Sequence, residues 1–178
     1  MKLTVALACA LFFVATAAAE EPNGFDGLPW GSSPAKVREV LRNRCSVAGS
    51  DQDGIEVCEG YSLADVVGRL TLVSVPSRGL AAWRFDCQQA DAARLARLIT
   101  TRVGPARNEG PYLAYWVWPT TTVSLAKRDC SVVFATREGA WRLEELERDR
   151  AARMLKESET GDALTGYGSG KRSSGKGG

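Results

Sequence analysis

Apolar residues recur with a helical period in three stretches of the chain and with a period of two in the stretches between, which predicts helices separated by strands. The first helical stretch follows "LPWGSSP": Ser33 stands at the N-cap, Pro34 at the first helical position, and Val37, Val40 and Leu41 share one face until Asn43 and Arg44. The second, "ADAARLARLITTRVGP", carries Leu95, Leu98, Ile99 and Val103 at helical spacing and meets a stop signal at Gly104 and Pro105. The third, "WRLEELERDRAARMLK", has Leu143, Leu146, Arg150 and Met154 at helical spacing and a Glu144 to Arg148 pair one turn apart. A mostly solvated C-terminal helix is expected over 139–158.

Between the first two helices, "DVVGRLTLVSV" is rich in β-branched residues, "SRG" reads as a turn, and "LAAWRFDC" returns with Ala81, Trp83, Phe85 and Cys87 on one parity. That is a hairpin with one buried face. "PYLAYWVWPTTTVSLAKRDCSVVFAT" supplies three more strands, broken near Pro119 and Thr120 and again at Lys127, Arg128 and Asp129. With Pro119 and Thr120 as the two loop residues, Trp118 faces Thr121, Trp116 faces Val123 and Ala114 faces Leu125. The other side carries Leu113, Tyr115, Val117, Thr122 and Ser124. The first set is uniformly apolar and the second mixed, so Trp116 is expected in the core and Tyr115 outside it. A three-residue loop would exchange the faces. The order predicts an α+β fold over 20–138, a tandem α-β-β repeat with its helices on one face of an antiparallel sheet, followed by the extra C-terminal helix.

Ahead of the first helix, Trp30 is placed to close over the helix start as a hydrophobic staple, with Gly31 turning the backbone beside it. A surface Trp that stacks on a ligand is the competing reading. "SVAGSDQDGIEVC" has the look of a calcium loop. If Gly54 takes its sixth position, however, the first and twelfth fall on Gly49 and Gly60, which supply no carboxylate. An ordinary turn between Cys45 and Cys58 is expected there.

The two ends of the chain read differently from its middle. Lys2, an apolar run from Leu3 to Ala18 and small residues at Ala17 and Ala19 make a signal peptide over 1–19. The run is short against the roughly 20 apolar residues of a spanning helix. Cys9 would leave too short a leader for a lipid anchor. Residues 159–178, dominated by glycine and serine, read as a disordered tail, although Lys171, Arg172 and Lys176 could touch an anionic partner. The chain has 23 basic and 21 acidic residues, and cleavage removes Lys2 alone. So even a balance offers no electrostatic case for nucleic acid or for anionic membrane. A secreted or periplasmic protein without membrane insertion is expected.

Four cysteines remain after the leader, and oxidation is expected outside the cytoplasm. They allow three pairings. Cys45 with Cys58 would close the loop after the first helix. Cys87 with Cys130 would join two strands on which both cysteines share parity with core residues, and these are the pairs predicted. No close Cys-x-x-Cys spacing and no histidine is present, which removes the usual zinc ligand sets. The missing histidine also rules out Ser-His-Asp and Cys-His nucleophile pairs. No metal and no other cofactor is expected.

The stretch "GSSPAKVREVL" resembles the Gly-x-Ser/Thr-x-x-x-Val helix opening of the small envelope lipoproteins of the SmpA/OmlA type. The whole layout is similar to that of the β-lactamase inhibitor proteins, which are built from two helix-plus-sheet repeats. "GLPWGSS" also resembles the start of small periplasmic proteins of unknown function in Gram-negative bacteria. The likeness covers roughly Phe25 to Thr136 and implies a fold more than an activity: Gly31 and Ser33 set up a helix start and Val37 packs. The lipobox of the assembly lipoproteins is absent or badly placed, and no inhibitor contact surface carries over.

On these grounds a non-enzymatic binding or interaction module is expected, with a sheet face bearing Arg84 and Tyr115 open to a partner, an envelope protein among the candidates. The competing reading of that face is a covering by the C-terminal helix. An envelope assembly or inhibitor-like role is a further alternative. The rival class is an enzyme working through Asp86, Asp91 and Asp129. Asp91 also suits a helix cap and Asp129 a hairpin turn.

Overall fold

In the computed structural model, residues 20–45, 47–51 and 54–165 are described. Residues 1–19, where a signal peptide is expected, and 166–178 lie outside the described residues. Among the described residues three helices, α1 (Pro34–Leu41), α2 (Ala92–Val103) and α3 (Arg137–Thr165), alternate with eight strands: β1 (Val47–Asp51), β2 (Ile55–Leu63), β3 (Val66–Val75), β4 (Gly79–Cys87), β5 (Asn108–Glu109), β6 (Leu113–Val117), β7 (Thr121–Ala126) and β8 (Ser131–Thr136). They form one sheet in the order β1-β2-β3-β4-β8-β7-β6-β5, and every neighbouring pair is antiparallel. The fold is α+β.

The repeat is larger than the sequence predicted. Each unit is a helix followed by a four-stranded meander rather than by two strands. The two meanders meet through their last strands, β4 and β8, with Trp83 opposite Phe134 and Phe85 opposite Val132. Trp83 and Phe134 stack across that joint, their centroids 4.1 Å apart and their planes 10° off parallel. The strands beyond expectation are β1, β2 and β5. In β2 a bulge between Cys58 and Tyr61 breaks the alternation, so no period of two runs through it. Between Cys45 and Cys58, where only a turn was expected, the chain also forms β1, which pairs Val47 with Glu59 through Asp51 with Ile55 and leads to the turn at Gly54. Backbone hydrogen bonding holds such a strand irrespective of its few apolar side chains. The Cys45–Cys58 and Cys87–Cys130 disulfides are both formed. The first ties the end of α1 to β2, and the second closes the β4–β8 joint.

One face of the sheet carries the main core. Val37 and Leu41 of α1 and Leu95, Ile99 and Val103 of α2 pack with Leu70, Leu72, Trp83, Phe85, Trp116, Val123, Leu125, Val132 and Phe134, all buried. The loop between β6 and β7 has two residues, with Trp116 opposite Val123 and Val117 opposite Thr122. Trp116 is accordingly buried and Tyr115 exposed. The Trp116 indole also donates to Gly104 O at 2.9 Å, satisfying a carbonyl where α2 ends.

The segment ahead of α1 is threaded into this core. Asp26 and Gly27 both take positive φ, and Phe25 and Leu28 exchange backbone hydrogen bonds of 2.8 and 2.7 Å. This is the Asp-Gly turn geometry that glycine favours. It buries Phe25 and Leu28, with Phe25 edge-on to Trp83 at 5.1 Å. Asp26 accepts from the Tyr61 hydroxyl at 3.0 Å, and burial pushes that phenol above its usual range, so it stays a donor. Ser33 caps α1 as expected, accepting from Lys36 N at 3.4 Å.

Trp30, expected to close over the helix start, is partly buried against the core. Its indole packs on the rim of the core and donates to Pro22 O and Thr121 Oγ1, both at 3.1 Å, so it ties the entering chain to β7. Nearby, the Glu21 carboxylate accepts from Thr120 N at 2.9 Å, and the bond from the Thr120 hydroxyl holds its pKa below the ordinary carboxylate value. Trp30→Ala is expected to cost about 2 kcal/mol through lost ring contact. Trp30→Phe should restore that part but not the indole hydrogen bond, leaving a deficit of about 1 kcal/mol. Urea unfolding of the two variants checks the order.

The opposite face of the sheet carries α3, which lies across β3, β4 and β8. Leu143, with Ala140 and Leu146 beside it, packs on Val73, Ala82 and Ala135 in a second, smaller core. Thr136 Oγ1 accepts from Gly139 N at 3.1 Å and caps the helix start. α3 begins two residues before the expected 139 and runs through Thr165, into the stretch read as tail. Ala163 and Leu164 favour helix there, although glycine and serine dominate the chain that follows. Among the described residues no helix is long and apolar enough to cross a membrane.

Candidate functional site

Arg84 and Tyr115 stand on the same face of the sheet, in one cross-strand row that runs Arg84, Val133, Ser124, Tyr115. Three strand spacings separate them, about 14 Å. Their surroundings differ. Arg84 lies where α3 crosses the sheet: its Nε donates to both Asp86 oxygens, at 2.7 and 2.9 Å, and Nη1 pairs with Glu147 of α3. Its Nε and Nη1 are thus engaged within the fold. Tyr115 lies beyond the helix, on a strip where Leu113, Tyr115 and Val117 are 36, 42 and 51% exposed, next to exposed Tyr112. α3 thus covers one half of the outer face and leaves the apolar side chains of β6 in the open.

The three acids considered for catalysis have separate settings. Asp86 is held by Arg84, Asp129 is exposed in the tight turn before β8, and Asp91 stands at the start of α2. Asp91 makes no capping hydrogen bond and instead lies 3.7 Å from Arg94, one turn on. The helix is entered through a single 3-10 turn, Gln89–Asp91, whose geometry already places Asp91 in helical φ and ψ.

A second feature was not anticipated. At the end of the β3–β4 hairpin, a cleft of about 890 Å3 lies between the start of α1, the turn Val75–Gly79 and the first turns of α3. Glu138, Trp141, Arg142 and Glu145 line it together, at the i, i+3, i+4, i+7 spacing of one helix face. That spacing is readable in the sequence. Its meaning is not, because the hairpin it faces arrives from more than fifty residues upstream. Arg78 pairs with Glu138 at 3.3 Å, and Arg142 Nη1 pairs with Glu145. Trp141 is 59% exposed at the cleft. Among the described residues, two buried side-chain polar atoms have no hydrogen-bond partner, Ser74 Oγ and Arg142 Nε. Both residues line this cleft. Ser74 follows a bulge between β3 and β4, a device that re-aims side chains.

The chain matches no family model and no curated protein sequence. The crystal structure of a DUF4309 family protein, YjgB, from Bacillus subtilis is similar to it with a TM-score of 0.42 and 10% identity, over 67% of this chain and 88% of that one.

Proposed function

We propose that the protein is an exported, non-enzymatic binding module of the cell envelope, which recognises a protein partner through the outer face of β6 and β7. The bare apolar strip Leu113, Tyr115 and Val117 beside α3 carries this reading. Aromatic side chains offered on a rigid sheet are common anchors at protein interfaces, since they bury large area at small cost in rotamer freedom. Two disulfides support export, because such crosslinks persist in oxidising compartments. The duplicated unit of one helix and four strands supports a relation to the small periplasmic proteins with the Gly-Leu-Pro-Trp-Gly start, and to the helix-plus-sheet repeats of the SmpA/OmlA and β-lactamase-inhibitor type.

The test is capture from periplasmic extract on immobilised mature protein, with identification of the retained partner and a binding titration. Tyr115→Asp with Val117→Asp should weaken that binding at least tenfold and leave the unfolding midpoint nearly unchanged, since both positions are exposed. Equal binding by the double variant would refute the assignment of this face.

A further inference from the structure

We infer that the partner at the outer strip of β6 and β7 is a second copy of this chain, an inference that rests on that strip being a docking face at all. Each copy lays its α3 across the other's strip, and three observations select this occupant.

The first is the layout of the outer face. The strands run in the order β3-β4-β8-β7-β6, and α3 lies on β3, β4 and β8, so one half of the face is a ridge and the other half is bare. A flat partner set on the bare half would be held off by the ridge beside it. A two-fold axis parallel to the strands and close to β8 instead turns two copies face to face and exchanges the halves. Each ridge then stands on the other copy's bare half, and the assembly closes at two copies.

The second is size. β6 has five residues, about 17 Å of strand. Trp141, Arg148 and Ala152 stand at i, i+7 and i+11 on the side of α3 turned away from Leu143, and all three are exposed. Together they also span about 17 Å. The bare strands β5, β6 and β7 are two spacings across, about 10 Å, which is the width of a helix. The exposed side chains of strip and ridge offer about 600 Å2 on each copy, about 1,200 Å2 for the pair, and that reaches what a specific interface needs.

The third is charge. The outer positions of β6 and β7 are Leu113, Tyr115 and Val117 with Thr122, Ser124 and Ala126, none of them charged. Such a strip neither requires an acidic or basic partner nor repels the ridge. With the ridge centred on the strip, Arg148 comes over Tyr115, whose ring can offer its face to the guanidinium, and Trp141 and Ala152 reach the two ends. Glu145, on the same side of α3, is already paired with Arg142. The chain has 23 basic and 21 acidic residues, so two copies meet with little net repulsion.

The experiment is sedimentation velocity on the purified mature protein from about 1 to 200 µM, with three variants: Tyr115→Asp with Val117→Asp in the strip, Trp141→Ala with Ala152→Glu on the ridge, and an equimolar mixture of the two. A monomer–dimer equilibrium is expected, weakened at least tenfold by either pair of substitutions, with circular dichroism unchanged because all four positions are exposed. The mixture should dimerise more tightly than either variant alone, because a mixed dimer gathers both defects into one of its two contacts and leaves the other intact. The inference is overturned by a protein that stays monomeric throughout the range, by a dimer that survives the ridge variant, or by a mixture no tighter than its components. A monomer whose strip variant still loses a protein captured from periplasmic extract overturns the second copy alone. Equal capture by that variant would remove the strip as a docking face as well.

Discussion

Trp116→Ala is expected to cost about 3–5 kcal/mol of stability, the usual loss for a large buried aromatic, and Tyr115→Ala less than about 1 kcal/mol. The neighbours differ because a strand sends alternate side chains to opposite faces. Trp116 is 3% exposed and fills the space under α2, where its indole also meets the Gly104 carbonyl. Truncation would leave a cavity against Val103 and Leu125 and strand that carbonyl at the helix end. Tyr115 points to the open strip and loses little. Urea unfolding of both variants measures the difference. The reverse ranking would mean that the β6–β7 register is shifted by one residue.

The second large effect is one of sign. Gly139→Ala should destabilise the protein by about 2 kcal/mol, although helix propensity by itself favours Ala by roughly 1 kcal/mol. A Cβ built at Gly139 would stand 2.1 Å from Ala81 O and 2.9 Å from Ala82 Cβ. α3 is thus seated directly on the backbone of β4, and a methyl group there must lift the helix start. Lifting it withdraws Leu143 from Val73, Ala82 and Ala135 and stretches the ion pair between Arg84 and Glu147. Overpacking of this kind costs about 1–3 kcal/mol, and the lost burial adds to it, which together outweigh the gain in propensity. A stabilised Gly139→Ala protein would show that α3 does not hold this position. Faster proteolysis within α3 of the variant is the companion readout.

The sequence by itself determined the local elements whose signals lie within a few residues of one another. Ser33 and Pro34 start α1, the stripe from Leu95 to Val103 makes α2, and the alternation around Trp83 and Phe85 makes a strand with one buried face. It also pointed to the register at Pro119 and Thr120, since a two-residue loop puts Ala114, Trp116, Val123 and Leu125, all apolar, on one side and a mixed set on the other. The two disulfide pairs followed from parity and from the closeness of Cys45 to Cys58 in the chain.

Tertiary structure decided the rest, for reasons that no local pattern holds. β1 and β5 exist because an adjacent strand offers backbone partners, and their own side chains say little about it. The joining of the two meanders through β4 and β8 brings together residues some fifty apart, with Trp83 on Phe134. The position of α3 separates Arg84 from Tyr115: the same helix supplies Glu147 to the arginine and stops short of the tyrosine. The cleft depends on it too. Trp141 and Arg142 acquire their setting only when α3 is laid beside the β3–β4 hairpin, because a pocket is a relation between distant segments and each segment alone is an ordinary amphipathic face.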